Sequence, residues 1–200
     1  METFRYGLAV LLVCTLPPFL LYWPIVHGFI GFWRRRGPTF TFVAMLGATL
    51  VAVAALFRVR EQLLLVDYGT NWALVALGVA LLAAGAWLRM RINRVFPTST
   101  LAGIPELAPD THPQKLVRSG IYSRVRHPRY AQFFVALGGY AFIANYLATY
   151  IVWLFWIPGV YVLVLFEERE LRKRFGSEYD EYSRQVPRFV PKLRPAEGIE

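Results

Sequence analysis

Asp, Glu, Lys and Arg are missing from four long stretches of this chain. Residues 7–33 carry only His27, residues 39–57 and 70–88 carry none, and residues 131–166 run for 36 positions without a charge. A bilayer core about 30 Å thick is crossed by about 20 apolar residues in a helix, at 1.5 Å per residue. Each of the first three runs fits one crossing. The fourth is nearly twice that length and divides at Ala144-Asn145-Tyr146, where a short turn joins two helices. The expected fold is therefore all-α and polytopic, with about five transmembrane helices and a C-terminal helical hairpin. Only 18% of the residues are charged, against about 25% in ordinary soluble domains. So greasy a chain has no water-soluble body on which to present its net charge of +9, which argues against a nucleic-acid partner.

The first run is too long for the apolar part of a signal peptide, and no small-x-small cleavage site follows it. Pro17 and Pro18 are expected to kink or break its helix near the middle. With five crossings, the loop at 34–38, the segment 89–129 and everything after 166 fall on one side. That side holds 19 of the 22 lysines and arginines, and Arg5, Arg58 and Arg60 fall on the other. The positive-inside rule assigns the richer side to the cytoplasm and the amino terminus to the outside. The charge is mainly a signal of topology, with a secondary role in holding anionic lipid headgroups. Aromatic residues at the run ends, such as Trp72, Trp87 and Trp153, suit interface belts.

Two parts follow: residues 1–95, a three-crossing membrane region, and residues 96–200, a C-terminal core. The core consists of a Pro- and Gly-punctuated loop, the hairpin, an exit helix expected over 167–184, and a tail interrupted by Pro187, Pro191 and Pro195. A tight hairpin returns both its ends to one membrane face. Residues 112–130 and 167–191 should therefore meet over its mouth.

On the exit helix, Tyr161, Val164, Glu168, Leu171 and Phe175 share one face at a period of 3.6. Glu168 thus lies on an apolar stripe, while Glu167 points to a more polar face. A carboxylate on an apolar stripe needs a cationic partner or a function. The plain reading pairs Glu168 with Arg172, and Glu170 with Arg174, one turn on. At the other end of the hairpin, Pro128 suits the first turn of a helix and His127 its cap. That helix start carries free N–H groups among Arg124, Arg126 and Arg129, which is a place for an anion. An anion site and an inward acid at one mouth would satisfy a zwitterionic amino-acid moiety, although the residues alone do not name it. No metal site is expected, since His27, His112 and His127 are far apart and no paired spacing exists. His27 is expected to bond to a neighbouring helix, Asn145 to cap the hairpin turn, and Cys14 to be a buried apolar residue.

The segment from Leu116 to Tyr130 contains Gly-Ile-Tyr and Arg-His-Pro-Arg-Tyr. Glu167-Glu168-Arg169-Glu170-Leu171, Phe175-Gly176-Ser177-Glu178-Tyr179, Tyr182, Val186-Pro187 and Pro191 follow in order. This succession resembles the isoprenylcysteine carboxyl methyltransferase and phospholipid methyltransferase superfamily, over residues 114–191. The resemblance implies a helical membrane enzyme that holds S-adenosylmethionine at the mouth of the final hairpin. It implies cofactor contacts at Gln114, Lys115, Leu116, Val117, Tyr122, His127, Pro128, Arg129, Tyr130 and Glu168. A proton acceptor would be Glu167 or Tyr130. The methyl acceptor would be a lipophilic small molecule or lipid, entering from among the membrane lipids. The oligomeric state is not implied.

One departure bears on that acceptor. The isoprenylcysteine enzymes resemble one another in an arginine about one turn before the second glutamate, read as holding a substrate carboxylate. Residues 162–166 here contain no basic side chain. This counts against a prenylcysteine carboxylate, unless Arg89 or Arg91 reaches in, and favours a lipid amine or another small lipophile. The sequence leaves two other readings open. One is an NADPH-dependent reductase similar to the sterol reductases, whose C-terminal part is akin to this superfamily. The other is a non-catalytic lipid-binding membrane protein.

Overall fold

A computed structural model of the chain describes residues 1–94 and 116–191. Within them the chain forms helices α1 (Glu2–Gly28), α2 (Ile30–Arg36), α3 (Pro38–Arg58), α4 (Arg60–Leu63) and α5 (Trp72–Asn93). A 3-10 turn (Gly120–Ser123) precedes α6 (Pro128–Ala144), α7 (Leu147–Phe175) and α8 (Ser177–Gln185). No named strand occurs among the described residues; one isolated bridge joins Asp67 to Tyr146. Four helices, α1, α3, α5 and α7, are long and apolar enough to span a membrane. At 17 residues, α6 is about 26 Å long and traverses the same bundle.

Contacts at the two ends of the bundle establish the order of traverses. At one end Arg5 donates to the Ala144 carbonyl at 3.1 Å and forms an ion pair with Asp67. At the other end Arg34 reaches Glu170 at 2.6 Å, and the start of α6 meets Glu167 and Glu168. Each long helix therefore runs from one end to the other, as five alternating crossings require. Of the kink or break expected at Pro17-Pro18, the break does not occur: α1 is one continuous helix through Pro17, Pro18 and Pro24. Helices packed alongside can tolerate a proline because neighbouring groups compensate for the freed carbonyls; here α7 lies close enough that a Cβ on Gly159 would meet Leu20 at 2.5 Å.

The hairpin turn falls where the sequence divides. Asn145 takes the left-handed conformation, with φ 55° and ψ 46°, which asparagine tolerates better than most residues. It does more than cap. Its amide donates to the Gly69 carbonyl at 2.9 Å, and its side-chain oxygen accepts from Tyr150 at 2.7 Å. The hairpin is thereby pinned to the loop before α5.

Helices α5 and α6 pack along a close antiparallel seam. A Cβ on Gly78 would stand 2.6 Å from the Gly139 carbonyl oxygen, and one on Gly139 would stand 2.7 Å from that of Gly78. With lipid as solvent, hydrophobicity drives such an approach weakly, and van der Waals packing of small residues supplies it. Helix α7 is 29 residues long, about 44 Å, so it projects beyond a bilayer core. Its projecting end carries Glu167 to Arg174. The exit helix does not run to 184. It ends at Phe175, because Gly176 adopts φ 55° and ψ −129°, open only to glycine, and α8 starts again at Ser177.

Candidate active site at the mouth of the final hairpin

Pro128 occupies the first turn of α6 and His127 is its N-cap residue, as the His-Pro order requires. The tail after α8 folds back onto this cap. The Arg126 N–H donates to the Pro187 carbonyl at 2.8 Å, and the His127 N–H to that of Arg188 at 3.0 Å. Beneath, Tyr179, Tyr182 and Val186 form a small core with Leu116, Leu171 and Phe175. The Tyr182 hydroxyl donates to the Tyr122 carbonyl at 2.8 Å. Burial, the largest influence on each, pushes the phenols of Tyr122 and Tyr182 well up and that of Tyr179 up to about 12. All three stay neutral across ordinary pH.

Glu168 is fully buried, at 0% exposure, and is surrounded by three guanidiniums and the His127 imidazole. Arg188 forks it, with Nε 2.9 Å from Oε1 and Nη2 2.9 Å from Oε2. His127 Nε2 and Arg126 Nη1 each lie 3.3 Å from Oε1, and Arg172 Nη2 lies 3.5 Å from Oε2. A buried carboxylate costs several kcal/mol of desolvation, and only pairing of this quality offsets it. The helical phase correctly picked Glu168 as the inward acid and Arg172 as a partner. It missed Arg188, which lies 20 residues on. The signal for it was the tail motif Val186-Pro187, which returns the chain to the mouth. Glu170 pairs across the bundle with Arg34.

Glu167 is only half-buried. It accepts a hydrogen bond from the Tyr130 hydroxyl at 2.9 Å, and its Oε2 lies 3.6 Å from His127 Nδ1. His127 thus stands between two carboxylates from one turn of α7. From α1, His27 lies within the electrostatic reach of Glu167 and Glu170. Leu116, Val117, Tyr122, His127, Pro128, Arg129, Tyr130, Glu167 and Glu168 all belong to this end of the bundle, and Gln114 and Lys115 lie outside the described residues. Arg91 does not reach in; its guanidinium lies 5.1 Å from the Trp87 ring. No cluster of three metal-ligating side chains occurs among the described residues.

The arrangement offers guanidiniums beside a helix start, two acids in different environments, and aromatic rings (Tyr130, Phe189) within about 6 Å of the His127 ring. It can hold a small zwitterion and accept a proton beside it. Known proteins supply the comparison. Protein-S-isoprenylcysteine O-methyltransferase of Schizosaccharomyces pombe is 36% identical over 81 residues, covering 38% of this chain and 33% of that protein. A probable protein-S-isoprenylcysteine O-methyltransferase of Oryza sativa subsp. japonica is 28% identical over 168 residues, covering 80% of this chain and 85% of the other. Protein-S-isoprenylcysteine O-methyltransferase B of Arabidopsis thaliana is 24% identical over 149 residues, covering 72% and 73%. The sequence model of the phospholipid methyltransferase family matches residues 73–178, from α5 to the start of α8. That match takes in more than half of the chain and the whole of α6 and α7, and the chain belongs to the phospholipid methyltransferase family.

Proposed function

We propose that this membrane methyltransferase takes its methyl group from S-adenosylmethionine at the mouth formed by α6, α7 and the tail, and passes it to a lipophilic acceptor entering from the bilayer. The observation that carries the reading is the meeting of His127 and Glu168, 41 residues apart in sequence and 3.3 Å apart in space. The residues fit the donor. Arg126 Nε is buried without a hydrogen-bond acceptor among the described residues. Together with the start of α6 it suits the amino-acid carboxylate. Glu168 suits the ammonium. Leu116, Val117, Tyr122 and Tyr130 would wall the rest. The mouth would face the cytoplasm, with the amino terminus outside, because the basic loops lie on that side.

Bound there, the donor supplies a methyl already activated by its sulfonium. What remains for the chain is positioning and exclusion of water. Glu167 is the group able to receive a proton from the acceptor, since it is half-buried and carries no forked guanidinium. Tyr130 holds one of its oxygens and so fixes its direction. Glu168, saturated by cations, keeps its charge and serves binding.

The acceptor we favour is a lipid amine or another small neutral lipophile. An amine nucleophile needs a carboxylate beside it, which Glu167 provides. Residues 162–166 offer no cation for an acid. Membranes or lipid extract incubated with radiolabelled S-adenosylmethionine and purified protein test this. Label in an amine-containing lipid is expected. Base-labile label confined to N-acetyl-S-farnesylcysteine would overturn the choice of acceptor, and no transfer to any lipophile would overturn the donor.

A further inference from the structure

The partners of Glu168 are not equivalent. Arg126 is 8% exposed, and one of its terminal nitrogens also lies 3.5 Å from the Tyr179 hydroxyl. His127 is buried at the base of α6. Arg172 has a second carboxylate, Asp180, at 3.3 Å. Arg188 alone comes from the tail. Its side chain is 34% exposed, and among the described residues Glu168 is the one carboxylate within salt-bridge distance of it. It nevertheless takes both oxygens of Glu168.

We propose that Arg188 is a placeholder: its guanidinium occupies the carboxylate that the donor's ammonium takes, so that Arg188 and the methyl donor compete for Glu168. The proposal rests on the reading of Glu168 given above. A fork on both oxygens leaves no free approach for an ammonium, so one must leave before the other binds. Arg126, His127 and Arg172 stay on Glu168 throughout. The backbone bonds at Pro187 and Arg188 need not break, because only the side chain swings. Its resting place is in reach: the Arg188 guanidinium carbon is already 5.9 Å from the centre of the Tyr161 ring, a half-exposed aromatic face able to hold a cation. Arg188 is thus a positioning residue. It keeps Glu168 charged and paired in the empty enzyme and lowers the donor's apparent affinity by the fraction of molecules in which the fork is closed.

S-adenosylhomocysteine binding to the full chain in detergent, followed by calorimetry, tests the exchange. Arg188→Gln removes the competitor and is expected to bind about three- to tenfold more tightly, the gain that follows when the fork is closed in about 70–90% of molecules. Arg188→Lys, a single point charge without the fork, falls between Arg188→Gln and wild type. Affinity in Arg188→Gln equal to or weaker than wild type, with an unchanged unfolding temperature, overturns the proposal. If Arg188→Gln does not fold, phenylglyoxal labelling of the wild-type protein decides. Modification of Arg188 is expected to rise when S-adenosylhomocysteine binds, and a fall or no change overturns the exchange. Wild type that binds no S-adenosylhomocysteine strikes the donor reading itself, whereas wild-type binding with no gain in Arg188→Gln strikes only the exchange.

Discussion

Glu168→Gln keeps the shape of the side chain and deletes its charge, so it isolates what the buried carboxylate does for the fold. In the wild type three guanidiniums and His127 converge on it. After the change two of them have an escape, since the Arg188 and Arg172 side chains are 34% and 44% exposed and can turn to water. Arg126, at 8% exposure, cannot. Removing one partner of a buried pair costs about 3–5 kcal/mol. With one cation stranded and two released, the lower end applies, about 3 kcal/mol, or roughly a hundredfold in the folded-to-unfolded ratio. The control is Glu170→Gln, whose partner Arg34 is 35% exposed; that pair is worth about 0.2–1 kcal/mol. Thermal unfolding of both variants in the same detergent, followed by circular dichroism and by monodispersity, gives the comparison. Glu168→Gln should lose several times more stability than Glu170→Gln. Equal losses would refute the claim that a buried charge knot ties the tail to α6 and α7.

Three further outcomes follow from the same geometry. Gly78→Ala drives a methyl against the Gly139 carbonyl and Ile143, both at 2.6 Å, and should cost about 1–3 kcal/mol by forcing α5 from α6; an unchanged unfolding temperature would deny that seam. At the opposite end of the bundle, burial pushes the Asp67 carboxyl up, but the Gly69 N–H, Arg5 and Tyr146 together hold it below its ordinary 3.8. Its stabilising effect should be complete above that pH and fade as acid reaches the folded value, and Asp67→Asn, which strands buried Arg5, should abolish this dependence and lower stability at neutral pH. Tyr179 is shifted by burial from 10.0 to about 12, so its contribution should be intact below pH 10 and lost as pH climbs toward 12, a loss that Tyr179→Phe removes from the alkaline unfolding curve.

Much of the fold is written in charge spacing. Four runs free of Asp, Glu, Lys and Arg predict the traverses, and a residue content of Ala-Asn-Tyr marks the one turn that no charge marks. Pro128 shows where α6 begins because proline without its N–H suits a first turn and little else. Glu168 was legible because one helical period puts it in line with Val164 and Leu171. What escaped was set by tertiary return of the chain. Arg188 is invisible as a partner until Pro187 and Arg188 pair by backbone with residues 126 and 127. Arg34 is invisible as the partner of Glu170 until α2 folds beside α7, so the local alternative, Arg174, looked sufficient. The stop at Gly176 was available in principle: a glycine directly after a last turn containing Arg172, Lys173 and Arg174 is a helix terminus in its own right. The uninterrupted α1 was not available, since two adjacent prolines argue for a break and only the neighbouring helix decides otherwise.

The donor site proposed above lies between the start of α6 and the projecting end of α7. Ultraviolet crosslinking of tritiated S-adenosylmethionine to the purified protein, followed by peptide mapping, tests it most directly. Label should appear on peptides containing residues 116–130 and 161–172, be suppressed by excess S-adenosylhomocysteine but not by NADPH, and disappear in Glu168→Ala protein still present in the membrane. Label confined to the helices α1 to α4, or label indifferent to the Glu168 change, would remove the donor from this mouth.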